Sequence, residues 1–269
     1  MSTAVAAPSP LIQEPMEEYQ AKAKENLTSH QLGDFRRCPL LYHKKKLGLI
    51  PDEDRPAYLV GRALHTLVLE GRDKFEEEYA VGGPINPKTG DFFGPTTKAF
   101  AKWAAEQGKD VLTVAQFDLV ENMAEGVWAH HEAMDLLSTG VAEGVVRAEY
   151  CDVPCQIRLD WCDCHRAIVD LKTCDDLTWF EADAKRYGYV YQMAFYQAVL
   201  AKAIAVLMPV YLVGVEKQEP FRCGVWKLSD DVLARARQDN ETFIGRLKWY
   251  GAAEIWPSGY EDCRVFDSI

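Results

Sequence analysis

The sequence has no run of about 18 consecutive apolar residues, so no membrane-spanning helix and no membrane partner are expected. Its longest apolar-looking stretch, AFYQAVLAKAIAVLMPVYLVGV, is interrupted by Lys202 and Pro209. It reads as a buried helix followed by a strand. The opening MSTAVAAPSPLIQEP lacks both a basic region and a continuous apolar core, which argues against a secretory signal. It is small, Pro-containing and aperiodic, and residues 1–25 are expected to form a flexible tail. The expected location is the cytoplasm, where thiols stay reduced. Internal repeats are absent, as is low-complexity sequence beyond the tail. Positive charge is scarce: 30 Lys and Arg stand against 41 Asp and Glu, a net charge of −11. That excludes holding nucleic acid by bulk charge, but leaves room for a local basic groove. Also missing are the paired C-x2-C knuckles of common zinc sites. Of the eight cysteines, Cys151, Cys155, Cys162 and Cys164 cluster in sequence, with gaps of three, six and one residues. Ordinary buried thiols are the simpler account of them.

What is present is enough for a core. Hydrophobic residues make up 48% of 269, consistent with one domain over 26–269 that has a helical N-terminal portion. Residues 28–48, TSHQLGDFRRCPLLYHKKKLG, suggest a helix capped by Thr28 or Ser29 and kinked or split at Pro39. Arg36, Arg37, Lys44, Lys45 and Lys46 gather there against the trend of the chain. Two readings stand for them, a solvated helix face and a phosphate-contacting patch. AYLVGRALHTLVLEG has helical spacing and contains His65, either a hydrogen-bonded core residue or a ligand. Residues 82–95, rich in Gly and Pro, form a loop. Helices are expected near 95–107 and 113–138, then strands over 145–153, 155–163 and 166–173. A helix over 188–207, strands over 209–217 and 221–229, and a helix over 230–250 complete the chain. The order implies an α+β (mixed α/β) fold with helices packed on a central sheet.

The most informative stretch is RLDWCDCHRAIVDLKT. A hairpin centred on His165 sets Asp160 opposite Asp170, with Cβ atoms about 4.5–5.5 Å apart. Asp170 and Lys172 then share the face of Asp160, while Ile157, Leu159, Trp161, Val169 and Leu171 form a core face. Two carboxylates this close repel unless a proton or cation lies between them. Such an oxygen cluster suits Mg²⁺ or Mn²⁺, and a neighbouring lysine offsets charge on a phosphate. A structural ion-pair network is the other reading of the same three residues.

Written as D-x9-D-x-K, Asp160, Asp170 and Lys172 resemble the signature of the PD-(D/E)XK nuclease superfamily, with Leu159 in place of its proline. GRALHTLVLEG resembles the helix that carries a metal-binding histidine in RecB-like and RecE-like nucleases, with His65 at that place. YVYQMAFYQAVL resembles their Q-x3-Y helix through Gln192 and Tyr196, and WPSGY resembles their closing segment. The resemblance is closest to RecE-like and phage-type exodeoxyribonucleases. It implies a restriction-endonuclease-like core and a Mg²⁺-dependent exodeoxyribonuclease, with Mn²⁺ able to substitute. His65, Asp160 and Asp170 would hold the metal, with the Leu171 carbonyl as a further ligand. Lys172 would activate water or stabilise the phosphate, and Gln192, Tyr196, Arg36 and Arg37 would contact DNA. Glu149 is either an acid supporting the metal ligands or an exposed strand residue. The implied partners are double-stranded DNA ends, a single-strand annealing protein and further copies of the chain in a ring, with cutting 5′ to 3′ for recombination or repair. One branch of the superfamily carries an iron–sulfur cluster, and RRCPLLYH resembles the segment with its first cysteine, Cys38. The three grouped C-terminal cysteines of that branch are missing here, so no cluster is expected and a Cas4-like or AddB-like reading is weakened. A Cas4-like or other endonuclease, or a non-catalytic DNA-binding protein that keeps the fold, are the alternatives.

Overall fold

A computed structural model describes residues 10–51 and 56–265. The first helices are α1 (Met16–Lys22), α2 (Ser29–Arg37) and α3 (Pro39–Lys46). The Thr28 hydroxyl accepts from Gln31 N while the Gln31 side chain accepts from Thr28 N, a reciprocal cap that starts α2. Cys38 is extended, as the residue before a proline tends to be, and so the predicted helix over 28–48 is split in two at Pro39. Next come α4 (Pro56–His65), which continues as a π-helical turn over Thr66–Glu70, and α5 (Arg72–Glu78). Two short strands, β1 (Tyr79–Val81) and β2 (Asp110–Leu112), pair in parallel on either side of α6 (Lys98–Gln107). The helix expected over 113–138 is two, α7 (Val114–Trp128) and α8 (His131–Leu136), because His130 leaves the helix and caps the second through Nδ1.

The central sheet follows, in strand order β3-β4-β5-β6-β7. Its strands are β3 (Val141–Tyr150), β4 (Val153–Asp163), β5 (Ala167–Cys174), β6 (Val210–Glu216) and β7 (Cys223–Lys227). All neighbours are antiparallel except β5 and β6. A parallel pair needs a long crossover, and α9 (Phe180–Tyr187) and α10 (Tyr189–Ile204) supply it. The chain closes with α11 (Asp230–Ala253).

Helices cover both faces of the sheet. On one face Val146, Ile157, Leu159 and Leu212 meet Leu32 and Phe35 of α2, Phe195 of α10 and Ile244 of α11. On the other, Val169, Leu171 and Val213 meet Leu64 of α4, Phe75 of α5 and Met123 of α7. This corrects the expectation of a single core face. Ile157 and Leu159 pack on the first side; Trp161, Val169 and Leu171 pack on the second. The alternation of β4 slips by one residue at Asp160. The same slip occurs in β3, where Val146 faces the first core and Ala142 the second. The register skips that point: Gly144 pairs with Leu159 and Ala142 with Trp161, while the intervening Glu143 has φ 54°.

The tail expected over 1–25 is also corrected. Residues 1–9 lie outside the described residues, but from residue 10 the chain is packed. Ile12 and Val145 exchange backbone hydrogen bonds of 2.8 and 2.9 Å, covering the edge strand β3, and α1 follows. Glu14 explains the anchoring: its carboxylate meets the Arg147 guanidinium on both oxygens and accepts from Lys22 Nζ at 2.9 Å. Among the described residues, no helix is long and apolar enough to cross a membrane.

Candidate active site

The site forms where β4 and β5 separate. Their pairs run Asp163↔Ala167, Cys162↔Ile168 and Trp161↔Val169, which is the register centred on His165. One more step would set Asp160 against Asp170, but the ladder has already ended. In its place Asp160 Oδ2 accepts from the backbone N–H of Leu171 at 2.9 Å. A side chain thus closes a gap that a strand carbonyl would have filled, and it brings a carboxylate into the opening between the strands.

Three further groups converge on that opening. His65, in the last turn of α4, brings Nδ1 to 3.6 Å from Asp160 Oδ2. Glu143, at the matching slip in β3, joins them: ligating atoms of His65, Glu143 and Asp160 all lie within 4.8 Å of one another. Arg158 pairs with Glu143 at 2.5 Å. Burial first, and the Asp160 charge second, hold the Glu143 carboxyl above its ordinary pKa against that arginine.

Asp170 is 1% exposed, and its carboxylate contacts the Lys172 ammonium. Neither oxygen receives a hydrogen bond of normal geometry. Burial, followed by the charge of Asp160, pushes its pKa up to about 6. An unsatisfied buried carboxylate is costly, of order 1–3 kcal/mol or more for a charged group, unless something else shares the space. For Lys172 burial acts to lower the pKa, but Asp170 and Asp160 outweigh it and hold the ammonium above the usual lysine range. The His65 imidazole and the Glu143 and Asp160 carboxylates form a donor set that fits a hard divalent cation, and Asp170 lies close enough to feel the Asp160 charge.

On the first face of the sheet, α10 supplies Gln192 and Tyr196. Gln192 Nε2 donates to the Tyr196 hydroxyl at 3.0 Å, and Ser29 of α2 hydrogen-bonds the same hydroxyl. Burial and the charge of Asp170 raise the Tyr196 pKa, so it stays a phenol. At the start of α10, Gly188 has φ 76°, and a Cβ there would lie 2.6 Å from Arg36 Nη2. The positive φ favours glycine there; the Arg36 guanidinium, at the end of a flexible side chain, could move aside. Arg36 stacks over the Tyr191 ring, 3.7 Å from its centroid.

Of the residues expected from sequence, the fold therefore brings together His65, Asp160, Asp170, Lys172, Gln192 and Tyr196, with the Leu171 backbone between them, while Arg36 packs against Tyr191 and Gly188. Arg37 is exposed on α2. Glu149 is exposed opposite Pro154 at the far end of the hairpin, which removes it from the site; Glu143 occupies the place considered for it. Glu143 carried no clear sequence signal: the tight turn that brings it level with Asp160 is made by Cys151 and Asp152, both at positive φ, and neither is the glycine or asparagine that marks such a turn. The eight cysteines are all free thiols. Cys38 caps α3 through Sγ, and Cys162 and Cys164 lie 3.8 Å apart at the hairpin turn.

The mixed five-stranded sheet with D-x9-D-x-K at the parting of two strands defines a member of the PD-(D/E)XK nuclease superfamily. Within it, the chain belongs to the family described as "PDDEXK-like domain of unknown function (DUF3799)", whose profile matches residues 28–268. Among solved structures, the fold is shared with a "Putative exonuclease" from Eubacterium rectale, 21% identical, with 96% of each chain covered and a TM-score of 0.70. LHK-Exo in complex with dAMP is 12% identical over 74% of this chain and 98% of its own, with a TM-score of 0.29, too low to bear on the argument. No curated protein matches the chain.

Proposed function

We propose that this protein is a Mg²⁺-dependent exodeoxyribonuclease that hydrolyses phosphodiester bonds at the ends of double-stranded DNA, with Mn²⁺ able to replace Mg²⁺. The observation that carries the reading is Asp170: a buried carboxylate that touches the Lys172 ammonium but takes no hydrogen bond of normal geometry, close to the His65, Glu143 and Asp160 cluster. A structural ion pair has no use for that vacancy in its hydrogen bonding; a cation site does. His65, Glu143, Asp160 and Asp170 hold the cation, and the Leu171 carbonyl is a further oxygen within the same stretch. When bound, Mg²⁺ supplies the Lewis acidity that phosphodiester hydrolysis needs at neutral pH. The Lys172 ammonium donates to a phosphate oxygen and offsets the charge that develops there. Tyr196, held by Gln192 and Ser29, orients a water or a phosphate oxygen from the opposite side. Arg36 takes a neighbouring phosphate, with Arg37 further out along the strand.

The likeness to the Eubacterium rectale structure supports the fold on which this reading rests. Cutting in the 5′ to 3′ direction, release of a 3′ strand to an annealing protein, assembly into a ring around DNA and a cytoplasmic role in recombination belong to the same proposal. A ring offers an acidic chain a way to stay on DNA by topology rather than by charge.

The test is digestion of linear duplex labelled at either 5′ or 3′ ends, with Mg²⁺ or EDTA, by the wild type and by Asp170→Ala and Lys172→Ala. Mg²⁺-dependent loss of the 5′ label, absent in both variants and sparing closed circles, is the expected result. Intact linear DNA with Mg²⁺ and with Mn²⁺ would end the nuclease reading. Cleavage of closed circles would replace it with an endonuclease.

A further inference from the structure

Beyond Lys172 the site does not stop at a bare surface. Lys172 Nζ sits 5.2 Å from the centroid of the Tyr189 ring, and the Tyr189 and Tyr187 rings are 5.9 Å apart at 32°. Arg186 Cζ lies 5.6 Å from the Tyr187 centroid. Ammonium, ring, ring and guanidinium thus form one ladder from the buried carboxylates into solvent. Tyr189 is half-buried, while Tyr187 is 60% exposed although it belongs to the same stack. Trp179, 64% exposed, immediately precedes α9.

The charges around the ladder are sorted. Lys172 contacts the Asp170 carboxylate, and Arg36 is packed against Gly188, the residue between the two tyrosines. Next to the two rings is a small cavity of about 70 Å³ whose lining includes Thr173, Asp175, Asp183, Tyr187, Tyr189 and Lys217. Lys217 is occupied by Asp175 at 2.8 Å. Asp183 brings a second carboxylate, so this side repels a phosphate, while carboxylates accept hydrogen bonds from the amino groups of base edges. Phosphate towards Lys172 and Arg36, base towards Tyr187: the arrangement fits one nucleotide in one orientation.

We propose that Tyr187, backed by Tyr189, is the stacking platform for the nucleobase of the nucleotide whose phosphate lies at Lys172. The proposal rests on the nuclease reading of the site and names the part of the substrate held next to the reacting phosphate. Every base has a π-face, so the platform grips the end of the strand without selecting its sequence. It also gives an acidic protein a hold on DNA that salt screens weakly, unlike a phosphate contact.

The experiment uses the full chain with Mg²⁺ and a duplex whose terminal linkages are phosphorothioates, slow to cleave, with 2-aminopurine at each of the last three positions in turn. The wild type should quench the fluorescence strongly at one position. Tyr187→Leu should lose that quench and weaken binding on the order of 5- to 150-fold, the range of a lost base–aromatic stack. Tyr187→Phe, which keeps the ring, should restore both. An exposed residue of purely structural use would leave the quench unchanged in all three proteins. A Tyr187→Leu chain that quenches and binds like the wild type overturns the platform, as does a wild type that cleaves ordinary duplex yet quenches nowhere. Quenching that depends on Tyr187 in a wild type unable to cleave would instead overturn the nuclease reading and leave the platform as a DNA-binding element.

Discussion

Two buried carboxylates lie beside cations on this sheet, and they are built in opposite ways. The Glu14 side chain is 4% exposed, meets Arg147 through both oxygens and accepts from Lys22. The hydrogen bond from Arg147 is the largest influence on it and holds its pKa below the ordinary glutamate value despite burial. Asp170, 1% exposed, meets Lys172 but takes no hydrogen bond of normal geometry, and burial drives its pKa the other way. The first pair ties the N-terminal segment to β3 and leaves nothing over. The second leaves its acceptors open. Charge and burial are common to both, so neither identifies a site. The state of the hydrogen bonding does.

The comparison can be broken most directly by neutralising each carboxylate. Asp170→Asn should lower Mg²⁺-dependent DNA cleavage on the order of 10³-fold, about 4 kcal/mol of barrier. Glu14→Gln should leave the cleavage rate per folded molecule within about twofold. Denaturant unfolding should reverse that ranking. Glu14→Gln loses charge-assisted hydrogen bonds and should cost about 2–3 kcal/mol of stability. Asp170→Asn relieves an unsatisfied charge and should be neutral or stabilising by about 1 kcal/mol in EDTA. Equal destabilisation by both would return Asp170 to a structural role.

Thermal unfolding with added Mg²⁺ sharpens the contrast further. At about 100 times its dissociation constant, the ion should stabilise the wild type by about 2.7 kcal/mol. Glu143→Gln and Asp170→Asn should lose most of that gain, while Glu14→Gln should keep it. An unchanged gain in Glu143→Gln would remove that residue from the ligand set.

The smallest effect is in the pH dependence, read in EDTA. Glu14 has a depressed pKa in the folded state. Its contribution is therefore complete above the unfolded carboxylate value and is lost as pH falls through the folded one. Asp170 has a raised pKa, about 6, well above the ordinary aspartate range. Folding is then favoured by its protonated form, and that contribution declines as pH rises from about 4 through about 6. Differences between wild type and each variant across pH 3–7 should slope in opposite directions. Slopes of the same sign would refute the assignment.

Much of this site was legible in the sequence, because the hairpin register follows from the turn and the apolar pattern. Centring the turn on His165 aligned Asp160 with Asp170 before any coordinates, and the strand pairs around them agree. What the pattern concealed was the slip. Strict alternation assigned Leu159 and Trp161 to one face, whereas the backbone changes phase at Asp160 and Glu143. That departure also hid Glu143, since β3 was expected to begin four residues later than it does. The N-terminal segment was misread for a different reason: a short stretch that adds one strand pair and one ion pair has no periodicity of its own.

That segment sets a limit on how the protein can be cut. Sequence similarity to the family starts at residue 28, so a shortened chain begun there would keep every residue of the family match. It would lose Ile12, which pairs with Val145, and Leu11, whose side chain packs over Gly144, the immediate neighbour of Glu143. The boundary drawn by descent and the boundary drawn by folding thus differ by about one strand and one helix. A truncation chosen from the alignment would carry all the ligands, yet have one of them hanging from an unbraced edge.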